Sequence, residues 1–164
     1  MILAKDVIIE NLKKGKIKIK PFNLKDVNET SIDISLSDEF WVFDKEKNIV
    51  LNDKTDFKKY TKKIKAKSIT LEPGAFVIGI SKEKISLPNN IAGFLSGRSR
   101  FARMGIVVHA TAFLMHAGVS NRTVFEIKNL SNNTLTLKAG LKLAQVILVR
   151  TEGEAKYKGR FKKQ

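Results

Sequence analysis

Three of the chain's six arginines fall within six residues of "SGRSRFARMGIVVHATAF" (96–113), in a protein that carries 25 lysines. Arg98, Arg100 and Arg103 are also the first arginines in the sequence. Lysine supplies a hydrated point charge, whereas the guanidinium is a planar fork that grips phosphate or carboxylate through two hydrogen bonds at once. Three forks around Ser99 read as an anion site, and a phosphorylated ligand suits them. The other side chains able to do chemistry are scattered. Taken singly, Glu126 in "TVFEIKN" reads as a solvated strand residue, His109 as a hydrogen-bonded structural histidine, and Tyr157 as an ordinary aromatic.

Several chemistries are excluded by residue type. There is no cysteine, so disulfides, thiolate metal sites and the His-x-Glu with Cys-x-x-Cys set of the zinc deaminases are all absent. His109 and His116 are the two histidines, seven apart in a stretch without helical pattern, which is thin for a metal site. No Walker-type loop or dinucleotide fingerprint occurs. A Ser99–His109 hydrolytic pair has no motif behind it. Residue chemistry alone reaches a β-domain that binds a phosphorylated ligand, and goes no further.

The elements that must position these residues are mostly strands. Val7, Ile8 and Leu12 at helical spacing, followed by Gly15, predict one short helix over residues 4–14. After it, "KIKIKPF" and "SIDISL" alternate, and "EFWVF" is aromatic-rich. "SITL-EPG-AFVIGIS" predicts two strands around a Pro-Gly turn. "TVFEIKNL-SNN-TLTLK-AG-LKLAQVILV" predicts three, separated by Asn-Asn and Ala-Gly turns. Turn signals every eight to twelve residues predict an all-β barrel or sandwich. "KLAQVILV" is apolar on both faces, as a central strand would be. Residues 44–67 are the most polar and the expected mobile stretch. The basic end, with Tyr157 and Phe161, is either disordered or an arm that folds over a ligand or a neighbouring subunit.

A length of 164 residues fits one domain, with no internal repeat or Gly/Ser-rich linker. The formal charge of +15 leaves two readings open: a polyanion partner, or a solvated lysine coat. "KKGKIKIK" (13–20) and "KKYTKKIKAK" (58–67) favour the coat, because they alternate lysine with single apolar residues as half-buried strands do. Asp6 and Glu10 interrupt the apolar N-terminus, so no signal peptide is expected. No apolar run approaches the roughly 20 residues a membrane helix needs. The expected location is cytoplasmic, with no membrane partner.

Order and spacing carry the sequence further. "GRSRFARMGIVVHATA", "AGVSNRTVFEIKN", "KAGLKLAQVIL" and "YKGRFKKQ" follow one another in an arrangement that closely resembles the dCTP deaminase branch of the dUTPase-like superfamily. The opening "MILAKDVIIENLKKGKIKIKPF" resembles that branch's helix and first strand. "SIDISLSDEF" and "ISLPNNIAGFLSGRS" resemble the segments leading to its arginine motif.

The resemblance implies an all-β fold, a distorted β-barrel or jelly-roll of the dUTPase-like (β-clip) type with a short N-terminal helix. It also implies a homotrimer with active sites between subunits. Residues 1–164 would form a single domain, with 153–164 an arm closing over the site. Arg98, Ser99 and Arg103 would hold a triphosphate from one subunit, with Arg100 beside them and Mg²⁺ on the phosphates; no zinc is expected. His109, Ala110, Thr111, Ala112, His116, Val124 and Phe125 would surround the nucleotide. Tyr157, Arg160 and Gln164 match the family's Tyr, Lys and Gln on the arm. Glu126 matches the deaminases' strand glutamate, the general base and then acid of a metal-independent deamination of dCTP to dUTP. Ser99 and the carbonyl of Ala112 would orient the water.

"LMHAGVS" places His116 where dUTPases carry their water-activating Asp, and "HATA" (109–112) is the deaminase form. The sequence departs from the family at Arg100 for a second Ser, Val119 for an aromatic and Asn121 for a glycine. The rivals are a dUTPase or bifunctional enzyme giving dUMP, and a catalytically silent nucleotide- or nucleic-acid-binding protein on the same fold. Nucleic acid is not an expected partner on the main reading.

Overall fold

A computed structural model describes residues 1–44, 48–155 and 157–159. Helix α1 (Lys5–Lys13) packs Ile8, fully buried, with Val7, Ile9 and Leu12 against the core. Asp6 in its first turn and Lys13 in its last suit the helix dipole. In β1 (Lys18–Lys20) the lysines face water while Ile19 is buried, as alternation predicts.

The remaining elements are β2 (Ile32–Phe43), β3 (Thr61–Lys65), β4 (Ser68–Leu71), β5 (Phe76–Ser86), β6 (Ile91–Gly97), α2 (Ser99–Ala102), β7 (Ile106–Val107), β8 (Leu114–Met115), β9 (Ser120–Asn129), β10 (Leu135–Lys138) and β11 (Lys142–Arg150). Among the described residues, nine strands join one sheet in the order β7-β9-β5-β2-β11-β6-β8, with β1 on β5 and β3 on β2. Strands β10 and β4 pair separately.

The large sheet curls into a half-barrel around Leu36, Phe40, Phe125, Ile127 and Leu143, all with no exposed surface. Each such side chain contributes about 1.5–3 kcal/mol relative to an exposed one. Strand β11 pairs with β2 on one side and β6 on the other, so its two-sided apolar pattern does mark a central strand.

One expectation needs correction, and the pairing adds what the strand pattern leaves open. "SIDISL" and "EFWVF" are one twelve-residue strand, whose pairing to β5 shifts register between Leu36 and Phe40. The two strands expected around Pro73-Gly74 are present but do not pair with each other; β4 goes to β10 and β5 to β2, β9 and β1. Strands β9, β10 and β11, though consecutive, likewise find partners elsewhere. In the polar stretch 44–67, β3 falls within the alternating lysine run 58–67, as that run's strand-like pattern predicts, after a 3-10 turn (Phe57–Lys59). Turn residues mark where a strand stops, not which strand it meets; in a curled sheet, burial of one face decides the partner.

Candidate active site

Strand β9 carries the site because its alternation separates two faces. Thr123, Phe125, Ile127 and Asn129 are buried, while Arg122, Val124 and Glu126 lie half-buried on the opposite face. Strand β7 continues beyond its ladder with β9 through Glu126 N–H donating to the Val108 carbonyl at 3.0 Å. The chain then turns so that the next backbone amides converge on the Glu126 side chain. Its Oε2 accepts from Ala110 N–H at 2.8 Å, Thr111 N–H at 3.0 Å and Ala112 N–H at 3.5 Å. Oε1 carries none of these bonds. The carboxyl group is thus oriented through one oxygen.

Glu126 lies on a cavity of about 380 Å³, lined also by Val124, Arg122, Ala112, His116 and Tyr157. The His116 and Tyr157 rings stack with centroids 4.6 Å apart and planes within 5°. Tyr157 is brought there by a strap after β11. Ala155 N–H donates to the Asn89 carbonyl at 2.7 Å, and Tyr157 N–H to the Ala117 carbonyl at 3.3 Å. Gly118 makes that close passage possible. At φ +78° it adopts a conformation costly for other residues, and a β-carbon there would meet Asn89 Oδ1 at 2.8 Å.

The arginine cluster sits elsewhere on the chain. Arg98 caps α2, and its guanidinium is held from within the fold, Nη2 on Asp33 Oδ2 at 3.2 Å and Nη1 on the Lys142 carbonyl at 3.1 Å. Asp33 is buried and also accepts from Asn28 Nδ2 at 3.0 Å. Ser99, Arg100 and Arg103 are exposed. None of these four residues lines the Glu126 cavity of its own chain.

Of the residues singled out from sequence, Ala110, Thr111, Ala112, His116, Val124, Glu126 and Tyr157 therefore come together. Arg98, Ser99, Arg100 and Arg103 form a second group. His109 is half-buried, its ring 6.4 Å from that of Phe113. Phe125 is enclosed in the core and does not line the cavity, so its side chain is a packing element. Arg160 and Gln164 lie outside the described residues. Among the described residues no three His, Asp or Glu side chains cluster as metal ligands, and no helix is long and apolar enough to cross a membrane.

Of the lining residues not singled out from the sequence, two bear most on the site. Arg122 donates through Nε to the Ser81 carbonyl and through Nη1 to Glu39, which Lys63 also contacts. The Arg122 hydrogen bond, then that of Lys63, holds the Glu39 carboxyl well below its ordinary 4.5, at about 2. Phe57 is the other, in the 3-10 turn of the polar stretch. The one sequence signal for it is an aromatic directly after a capping aspartate: Asp56 accepts from Lys58 N–H at 3.1 Å.

The half-barrel and the amide-anchored glutamate define a class. The model of the family described as dCTP deaminase-like matches residues 2–151, and the chain belongs to that family. Among curated relatives, a dCTP deaminase of Pyrobaculum arsenaticum is 29% identical over 165 residues, covering 100% of this chain and 93% of its own. A dUMP-forming dCTP deaminase of Methanosphaerula palustris is 30% identical, covering 97% and 91%. A dCTP deaminase of Buchnera aphidicola reaches 37% over 82% of this chain and 76% of its own. Among solved structures, the 2'-deoxycytidine 5'-triphosphate deaminase of Agrobacterium tumefaciens superposes with a TM-score of 0.73 at 18% identity. The match covers 92% of this chain but 48% of that one, so the chain spans about half its length. A dUTPase from Staphylococcus aureus phage phi11 gives a TM-score of 0.56 at 14% identity, covering 88% and 96%. The fold is dUTPase-like.

Proposed function

We propose that the chain is an enzyme that hydrolyses the 4-amino group of dCTP, giving dUTP and ammonia, with Glu126 as the proton-transfer group. Family membership supports the reaction. The observation that carries the residue assignment is the carboxyl of Glu126, held through Oε2 by the amides of residues 110–112 on the surface of a cavity of nucleoside size. Water attacking C4 must lose a proton while N3 gains one. The tetrahedral adduct must then lose ammonia, which takes a proton from the new hydroxyl and leaves the C4 carbonyl. A single carboxyl can relay both protons, as base and then acid, a role worth typically 10²–10⁴ in rate. Oε1, outside the amide contacts, is the oxygen for this work.

In this reading Ser99 and the Ala112 carbonyl orient the water, and Thr111 with the backbone around it shapes the base pocket. Arg98, Ser99, Arg100 and Arg103 bind the triphosphate in the cavity of a neighbouring subunit. The active unit is then a homotrimer with interfacial sites, and the arginines' absence from their own chain's cavity lining supports this. Mg²⁺ enters on the phosphates, which supply its oxygen ligands. Tyr157, with Arg160 and Gln164, belongs to the arm that closes over the nucleotide, and the protein acts in the cytoplasm.

Some relatives are named dUMP-forming, which makes further hydrolysis of dUTP the second reading. His116, at the position of the dUTPases' Asp, favours accumulation of dUTP. Incubation with dCTP and Mg²⁺, with separation of dUTP, dUMP and substrate, decides between them. Glu126→Gln should still bind dCTP while ammonia release falls by about 10²-fold or more. Undiminished turnover in that variant would remove Glu126 from the mechanism.

A further inference from the structure

We infer that Phe57, backed by Trp41, is the wall that meets the C5–C6 edge of the pyrimidine and limits what the base can carry at C5. The inference rests on the deamination reading above. It starts from cross-strand register. Glu126 pairs with Ile78 across β9 and β5, Ile78 with Trp41 across β5 and β2, and Trp41 with Lys63 across β2 and β3. Directly paired residues share a face and stand one strand spacing apart, so Trp41 lies about 10 Å from Glu126 along one row. Phe57 packs edge-on against Trp41, with ring centroids 6.1 Å apart and planes at 78°, and lines the cavity together with Ile78 and Glu126.

That wall is fixed, not draped. Thr61 Oγ1 and Tyr60 N–H both donate to the Phe57 carbonyl at 3.0 Å, and Asp56 caps the turn. The Lys63 ammonium lies 5.1 Å from the Trp41 ring centroid and is itself paired with Glu39. Phe57 therefore has an aromatic support that a cation and a carboxylate hold in place.

The chemistry of cytosine selects the orientation. Its N3–O2 edge is polar and its C5–C6 edge carries only C–H groups. With C4 at Glu126, the C–H edge belongs against the apolar Ile78 and Phe57, and the polar edge away from them. A 5-methyl group would then be driven into the Phe57 ring.

Trp41 is the chain's one tryptophan and reports on this wall. The full-length Glu126→Gln protein, which should hold dCTP without turning it over, is titrated while Trp41 emission is followed. The emission should change with dCTP and stay constant with inorganic triphosphate, which engages the arginines alone. In an otherwise wild-type chain, Phe57→Ala should raise the KM for dCTP roughly tenfold. It should also lower the dCTP over 5-methyl-dCTP preference in kcat/KM by fivefold or more, with Phe57→Leu between. Saturable dCTP binding with silent Trp41 emission, or an unchanged 5-methyl preference in a folded Phe57→Ala protein, overturns the inference and leaves deamination standing. Failure of the wild type to bind dCTP or release ammonia overturns the deamination reading itself, and the wall with it. The titration needs no Phe57 variant, so a folding defect there does not blunt the test.

Discussion

A carboxyl with cations on both oxygens is held in its ionised form and is poorly placed to take up a proton, and one tied at neither has no fixed direction. Glu126 has one oxygen on three amides. Glu39 shows the opposite arrangement, bonded to both Arg122 and Lys63 and so committed to structure. Its folded-state value lies at about 2 against an ordinary 4.5, so the stabilisation it gives is complete above 4.5 and is lost as pH falls through that interval. Glu39→Gln should therefore melt below the wild type at neutral pH, and the gap should close as the pH is lowered towards 2. A gap constant with pH in thermal melts would mean that the ion pairs do not form. Glu126 is legible in the sequence because its motif can be recognised by order and spacing. Arg122 and Phe57 are not. Arg122 meets Glu39 across 83 residues of chain, and Phe57 sits in a polar run whose course depends on pairing between β2 and β3.

At the scale of elements, the turns and strand lengths can be read from sequence, but the pairing cannot. Strand β11 is the exception, because a strand apolar on both faces can only be central. Leu148, at 1% exposure on that strand, should cost about 2–5 kcal/mol on truncation to alanine, whereas Leu51, at 77%, should cost under about 0.5 kcal/mol. Denaturant midpoints measure both. The junction of α2 with β7 is equally exacting. Gly105 has φ +84°, and a β-carbon there would meet the Ser131 backbone nitrogen at 2.8 Å. Gly105→Ala should destabilise by more than about 1 kcal/mol and, by shifting α2, weaken triphosphate binding. The helix α2 itself is too short for periodicity to reveal.

At the scale of the whole molecule, the proposal divides each site between two chains. Glu126→Gln and Arg103→Ala proteins, each impaired alone, should regain activity when unfolded together and refolded as a mixture. In random assembly roughly one interface in four joins an intact arginine to an intact glutamate. No recovery above the sum of the separate proteins would place the whole site within one chain. The charge of +15 bears on the same assembly. Lysines such as those flanking Ile19 face water, so on the trimer proposal copies would have to dock through surfaces where positive charge is offset.

The amides of residues 110–112 have one more effect. They grip the proton carrier, and the carbonyl of Ala112 in the same short segment is the proposed holder of the nucleophile. On the proposed roles, any displacement of that segment would carry the Glu126 carboxyl and the water held by Ala112 with it, as two marks on one ruler move together. Only the contact of that water with Ser99 would then depend on how the neighbouring chain is seated.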